Sequence, residues 1–153
     1  MATEAMLAAG SKIYRGDTDG DYDVQTWTHV KECKTIQPPS LKQDFVDVTV
    51  LESEDDEFIP GQKRKGNCVL QQNYVPSSPT QNATTGFVYD RNNAIRRRYK
   101  ILLPDAAGTF MTFLGYVEEV SPEAQMGNAL MNSVSIKPTG PVLWGNAANP
   151  VPA

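Results

Sequence analysis

The stretch "DFVDVTVLESEDDEFIPGQKRKGNCVLQQNY", residues 44–74, decides the fold. Its first run alternates: Val46, Val48 and Val50 share one face, while Phe45, Asp47, Thr49 and Leu51 share the other. Its last run alternates as well, with Cys68, Leu70, Gln72 and Tyr74 opposite Val69, Gln71 and Asn73. Each run has the pattern of a strand with one dry and one wet face. Between them, residues 52–66 carry five acids (Glu52, Glu54, Asp55, Asp56, Glu57), the apolar hinge "FIPG", and three bases (Lys63, Arg64, Lys65). The expectation is a hairpin interrupted by a long loop whose charge is sorted by sign. Loops of about fifteen residues without structure of their own are uncommon in compact domains and tend to be functional.

Upstream, "SKIYRG" reads as a short strand, "DTDGDYD" as an acidic turn, and "QTWTHVKECKTI" as a strand that "QPPS" stops. Downstream, "SSPTQNATTGFVYDRNN" is the one good helix signal. Ser78 serves as N-cap, Pro79 takes the first helical position, and Gln81 completes a capping box. Ala83, Phe87 and Ala94 fall near one stripe, and Asn92 or Asn93 is a natural stop. Gly86 weakens this helix by about 1 kcal/mol relative to alanine.

Two hairpin strands follow, "IRRRYKILL" and "TFMTFLGYVEE", joined across "PDAAG". A third, "LMNSVSIKP", places Val134 and Ile136 inward and Ser133, Ser135 and Lys137 outward. Residues 1–10 read as an arm with a helical turn over "EAMLAA", and residues 139–153 as an extended, Gly/Pro/Asn-rich tail. The sum is one mainly β domain, an antiparallel sandwich or barrel with one flanking α-helix and a long hairpin loop.

At 153 residues and 40% hydrophobic content the chain can bury a real core. A net charge of −4 argues against gripping nucleic acid by bulk electrostatics. No apolar run approaches the ~18 residues of a membrane span. The first residues lack the basic region of a secretory signal, so the chain is expected to stay where it is made. Cys33 and Cys68 fit no CxxC pattern and, with a single histidine, cannot build the usual closed zinc site. They read as two partly buried thiols in a reducing compartment.

The candidate chemistry is thin. "DTDGDYD" spaces Asp17, Asp19 and Asp21 like a calcium loop, but Tyr22 and Thr28 stand where an EF-hand needs glycine and an acid. It reads as a solvated acidic turn. His29 has no acid at useful spacing, no GxSxG or HExxH is present, and nothing would raise the pKa of one acid in residues 52–57 selectively. The expectation is a protein that is not an enzyme and holds neither cofactor nor metal. In "RRRYK", strand geometry sends Arg96, Arg98 and Lys100 to one face and Arg97 and Tyr99 to the other. In an acidic chain this is a solvated or protein-docking strip rather than a phosphate site. The loop 52–66 is then either a disordered, solubilising excursion or an arm that meets another copy of the chain.

The order of elements resembles the tail-tube (major tail) proteins of bacteriophages with long non-contractile tails. The resemblance lies in the "DVTVLES" strand, "FIPG" in the loop, the "PDAAGTFMTFLGYVEEV" hairpin and the closing "NSVSIKPTG" strand. It implies a structural virion protein whose hexameric rings stack into a hollow tube around a tape-measure protein. Tail-tip and tail-terminator proteins are the further partners it implies, with no membrane involved. The site is the virion tail, assembled in the host cytoplasm, and DNA leaves through the bore. Under this resemblance residues 52–66 are the inter-ring arm, with Glu52, Glu54, Asp55, Asp56, Glu57, Phe58, Ile59, Lys63, Arg64 and Lys65 in contact. Arg96, Arg97, Arg98 and Lys100 are a possible receiving strip. Asp47, Thr49, Gln71 and Asn73 are expected on the inner wall, which must not hold DNA, a polymer with a charge every ~1.7 Å of axis. Phe58, Ile59, Val142 and Trp144 are the apolar interface candidates. Alternatives are a type VI secretion-like tube or hub subunit, or a monomeric module whose loop takes a partner peptide.

Overall fold

Period-two alternation recurs along much of the chain and marks several of its strands, β6, β8 and β9 among them. A computed structural model describes residues 5, 7 and 9–149. The helical turn expected within residues 1–10 and the last four residues lie outside the described residues. In chain order the elements are β1 (Lys12–Arg15), a 3-10 turn (Tyr22–Val24), β2 (Thr28–His29), β3 (Cys33–Gln37), β4 (Leu41–Asp47) and β5 (Phe58–Lys65). There follow β6 (Cys68–Asn73), α1 (Phe87–Asn92), β7 (Arg97–Leu102), β8 (Phe110–Glu123) and β9 (Met131–Gly145). Seven strands form one antiparallel sheet in the order β2-β1-β7-β8-β9-β6-β3, and β4 pairs only with β5.

The large sheet curls into a half-barrel. β1 approaches β3 across the curl, and the Val30 amide donates to the Ile13 carbonyl at 2.9 Å, continuing the β1–β2 ladder. Register places apolar side chains opposite one another inside the curl: Ile13 with Ile101, Tyr99 with Phe113, Leu70 with Val134, and Cys68 with Ile136. All eight are buried. Their removal from water, at about 25 cal/mol per Å² of apolar surface, is the main term holding the half-barrel together. Phe87 of α1 closes the open side of this core.

Three expectations are corrected. The first is the hairpin. Residues 45–51 do not pair with residues 67–74; β4 pairs with β5, so that Phe45 faces Pro60, Val46 faces Ile59 and Asp47 faces Phe58. "FIPG" is therefore the start of a strand, not a hinge, and the connecting turn shrinks to residues 48–57. Proline is tolerated here because the ribbon is irregular between Gln43 and Phe45 and has no third strand to demand its missing N–H. β6 pairs instead with β3 and β9, where Cys68 and Leu70 find the core.

The second correction is the helix, which begins at Phe87 rather than near Ser78. Gln81 does not box Ser78. Its amide side chain accepts from the Val75 N–H and donates to the Asn73 carbonyl, tying the segment to β6. Gly86 lies against the backbone of Thr80 and Asn82, where a Cβ would sit 2.6 Å from both carbonyl oxygens. The chain packs on itself there and starts its helix afterwards. Asn93 is the C-cap, and Ala94, at φ +51°, lies past it in the left-handed region. The third correction concerns "QTWTHVKECKTI", which is two strands, β2 and β3, broken at Glu32 with φ +66°. The tail is extended as far as Gly145, within β9, with Trp144 opposite Met111 and Leu143 opposite Thr112.

Candidate functional site

The β4–β5 ribbon is the candidate site. Its register puts Val46 and Ile59 on one face and Phe45, Phe58 and Pro60 on the other. Phe45 is 62% exposed, Phe58 55%, and Val46 and Ile59 about half. An isolated two-stranded ribbon is marginal in water, and this one shows solvent an apolar surface on both sides. Such a surface is the signature of an interface.

The tip of the ribbon is ordered by its own short side chains. The Val48 amide donates to the Glu57 carbonyl at 2.9 Å, and the Glu57 amide donates to the Thr49 hydroxyl at 2.8 Å. The Thr49 amide donates to Asp47 Oδ1 at 2.9 Å, and these Thr49 hydrogen bonds hold the Asp47 carboxyl below its usual range. Leu51, fully exposed, crowns the turn, and Glu52, Glu54, Asp55, Asp56 and Glu57 surround it in solvent. Asp47 and Thr49 are thus part of the arm and not of the half-barrel, so they do not share a wall with Gln71 and Asn73. Gln71 is exposed on the wet face of β6, opposite Ser133. Asn73 on the same face donates to Glu32 at 3.0 Å.

At the root of the arm the sign of the charge reverses. Lys63, Arg64 and Lys65 face Gln43, Lys42 and Leu41 across the ribbon, and Arg64 pairs with Asp44. Together with Val142 and Trp144 of β9, Leu41, Lys42, Lys63 and Lys65 line a cleft with an apolar floor and a basic rim.

The other basic run, residues 96–100, is consumed within the chain. Arg96 forks onto Asp19 Oδ2 at 2.8 and 3.1 Å. Arg97 donates from Nε to Asp90 at 2.8 Å and from Nη1 to the Asp17 carbonyl at 2.9 Å. Arg98 donates to the Gly20 carbonyl at 2.7 Å. Lys100 Nζ lies 4.8 Å from the ring centres of Tyr14 and Trp27 and 5.4 Å from that of Tyr22, and burial lowers its pKa. The acidic turn and the basic strip, read separately in the sequence as solvated features, are partners. Arg97, Arg98 and Lys100 are not free to receive an arm.

Sequence reasoning missed Asp90, fully buried on α1 between Arg15 at 3.5 Å and Arg97 at 2.8 Å. An acid inside the apolar-flanked "FVYDRN" is the only local signal for it. Cys33 and Cys68 are free thiols, and burial pushes them up to about 11 and about 12. That protonated state suits packing and not nucleophilic chemistry.

The family model described as lambda phage tail tube protein, TTP, matches residues 12–145. A search of curated protein sequences gives no match. Among solved structures, the tail of an empty GTA particle refined with C6 symmetry superposes with a TM-score of 0.71 at 12% identity, over 92% of this chain and 99% of that one. The SPP1 tail tube superposes at 0.69 and 11%, over 93% and 80%. The baseplate of the anti-feeding prophage gives 0.70 and 14%, over 94% and 97%. At such identities the likeness is one of fold.

Proposed function

The chain belongs to the lambda phage tail tube protein family, and from that premise we propose that it closes into six-membered rings that stack through their arms into the conduit for DNA ejection. It is a structural subunit of a virion tail tube. The observation that carries the stacking role is the β4–β5 arm, a ribbon apolar on both faces whose Phe45, Val46, Phe58 and Ile59 stay half exposed or more. The half-barrel itself ends in two edge strands, β2 and β3, with unpaired backbone groups available to a neighbour. Edge pairing around a ring turns half-barrels into one continuous wall. The six-fold symmetry of the GTA tail supports six as the number.

The wet face of β6, β8 and β9 is the wall we assign to the bore. Gln71, Asn73, Ser133 and Ser135 offer phosphates no cationic grip, and on the same face Glu119 and Glu123 outnumber Lys137. With six acidic subunits per ring, DNA slides without sticking. A tape-measure protein in the bore, and tail-tip and tail-terminator proteins at the ends, are the partners this role requires. Assembly takes place in the host cytoplasm. The anti-feeding prophage likeness keeps a contractile-injection tube as the second reading on fold alone; the family match favours the phage tail.

Negative-stain electron microscopy across a concentration series, with sedimentation velocity, tests this. Rings or hollow striated tubes are expected. A chain that stays monomeric at every concentration, and also when a tail-tip complex is supplied, overturns the proposal in favour of a monomeric binding module.

A further inference from the structure

We propose that the acidic tip of one copy's arm docks into the basic cleft at the root of the arm on another copy. The proposal rests on the stacking reading above and adds what receives the arm. Five acids surround the exposed Leu51 at the tip, whereas the cleft at the root carries Lys42, Lys63 and Lys65 over a floor of Leu41, Val142 and Trp144. Trp144 is 52% exposed, an aromatic anchor open to a partner. The chemistry of the two ends corresponds: exposed Val50 and Leu51 followed by five acids at the tip, and an apolar floor with basic neighbours at the root.

The two ends cannot meet within one chain. About nine extended residues separate Leu41 from Val50, so the tip stands roughly 30 Å from the root at ~3.3 Å per residue. Their complementarity is therefore useful only between copies. Tip against tip and root against root are both like-charged, so the contact runs from tip to root. A reciprocal pair of copies would close on itself, whereas copies that all face the same way along a stack cannot reciprocate. The contact is head-to-tail, and a head-to-tail contact that does not close on itself propagates. The sorted charge of residues 52–66 thus gives the stack a direction, and the basic run 96–100 takes no part because the acidic turn and Asp90 already hold it.

The test is charge reversal in the full chain. Asp55→Lys with Asp56→Lys reverses the tip; Lys63→Glu with Lys65→Glu reverses the root. Each pair alone is expected to lower tube mass by about tenfold or more near 0.1 M salt, where charges are screened beyond ~10 Å. All four changes in one chain restore complementarity, and tube mass returns to within about threefold of the parent. Far-UV circular dichroism and the unfolding midpoint confirm that every variant is folded. Wild-type tube yield in either reversed pair overturns the proposal, as does a folded fourfold variant that fails to recover. If the parent chain forms no ring or tube, the assembly reading fails separately. Carbodiimide coupling then decides the docking alone: an amide between copies, from Asp55 or Asp56 to Lys63 or Lys65, supports it, and its absence overturns it.

Discussion

In the half-barrel, Leu70 and Val134 face each other across β6 and β9 and are fully buried; in the arm, Val46 and Ile59 stand in the same relation and are half exposed. The local chemistry is alike. The difference lies in what covers the pair: the buried core cluster in one case, and solvent in the other. The same contrast holds for charge. Arg97 and Arg98 of the half-barrel donate to partners within the chain, whereas Lys63 at the root of the arm lies exposed. A subunit that must fold alone and then assemble needs both kinds of surface, and here they lie in separate parts of the molecule.

The comparison is most easily broken at the core. Phe113→Ala removes a fully buried ring stacked 5.8 Å from Tyr99 and is expected to cost about 3–5 kcal/mol in denaturant unfolding. Phe58→Ala, half exposed on the arm, should cost the monomer under about 0.5 kcal/mol. It should nonetheless lower tube yield more than Asp55→Asn does, because aromatic anchors dominate interfaces. Equal costs in the monomer would show that the arm packs on its own half-barrel after all.

Asp90→Ala comes next. It leaves Arg15 and Arg97, both nearly buried, without their shared carboxylate, and breaking such a pair costs about 3–5 kcal/mol. A loss below 1 kcal/mol in the same assay would mean water reaches the triad.

A smaller effect separates the regions by pH. Burial raises the Cys68 thiol from its ordinary 9.0 to about 12, so the folded chain keeps it protonated. This contribution to stability is fully present below pH ~9 and falls as pH rises toward 12, by about 1 kcal/mol at pH 10. Cys68→Ala should flatten the slope of stability against pH between 9 and 11, and an unchanged slope would contradict the burial. The smallest energies belong to the arm itself. Hydrogen exchange should find its amides opening at near zero free energy in the monomer while those of β8 and β9 open only with the whole domain. Protection of the arm should rise in assembled tubes.

Much of the half-barrel was legible. The two faces of β6 and the inward Val134 and Ile136 followed from alternation alone, and the hairpin across "PDAAG" followed from its turn residues. The site was legible in part. Residues 52–66 stood out by charge and length, and Phe58, Ile59, Val142 and Trp144 by apolarity outside the core. The pairing of the arm was not legible, because "FIPGQKRK" carries proline, glycine and three bases without alternation and so reads as loop rather than as the partner of residues 41–47.

The sequence by itself determined what each segment prefers: period-two strands, their wet and dry faces, an acidic tip and a basic root. These are properties of neighbouring residues, set by backbone periodicity and side-chain chemistry. The tertiary structure alone decided which segments meet. It gave Cys68 and Leu70 to the core because burial there removes more apolar surface from water than a bare ribbon can. It matched Arg96 with Asp19 and Arg97 with Asp90, although the first pair is 77 residues apart in sequence. And it left the arm open to solvent, with Phe45, Val46, Phe58 and Ile59 all half exposed or more.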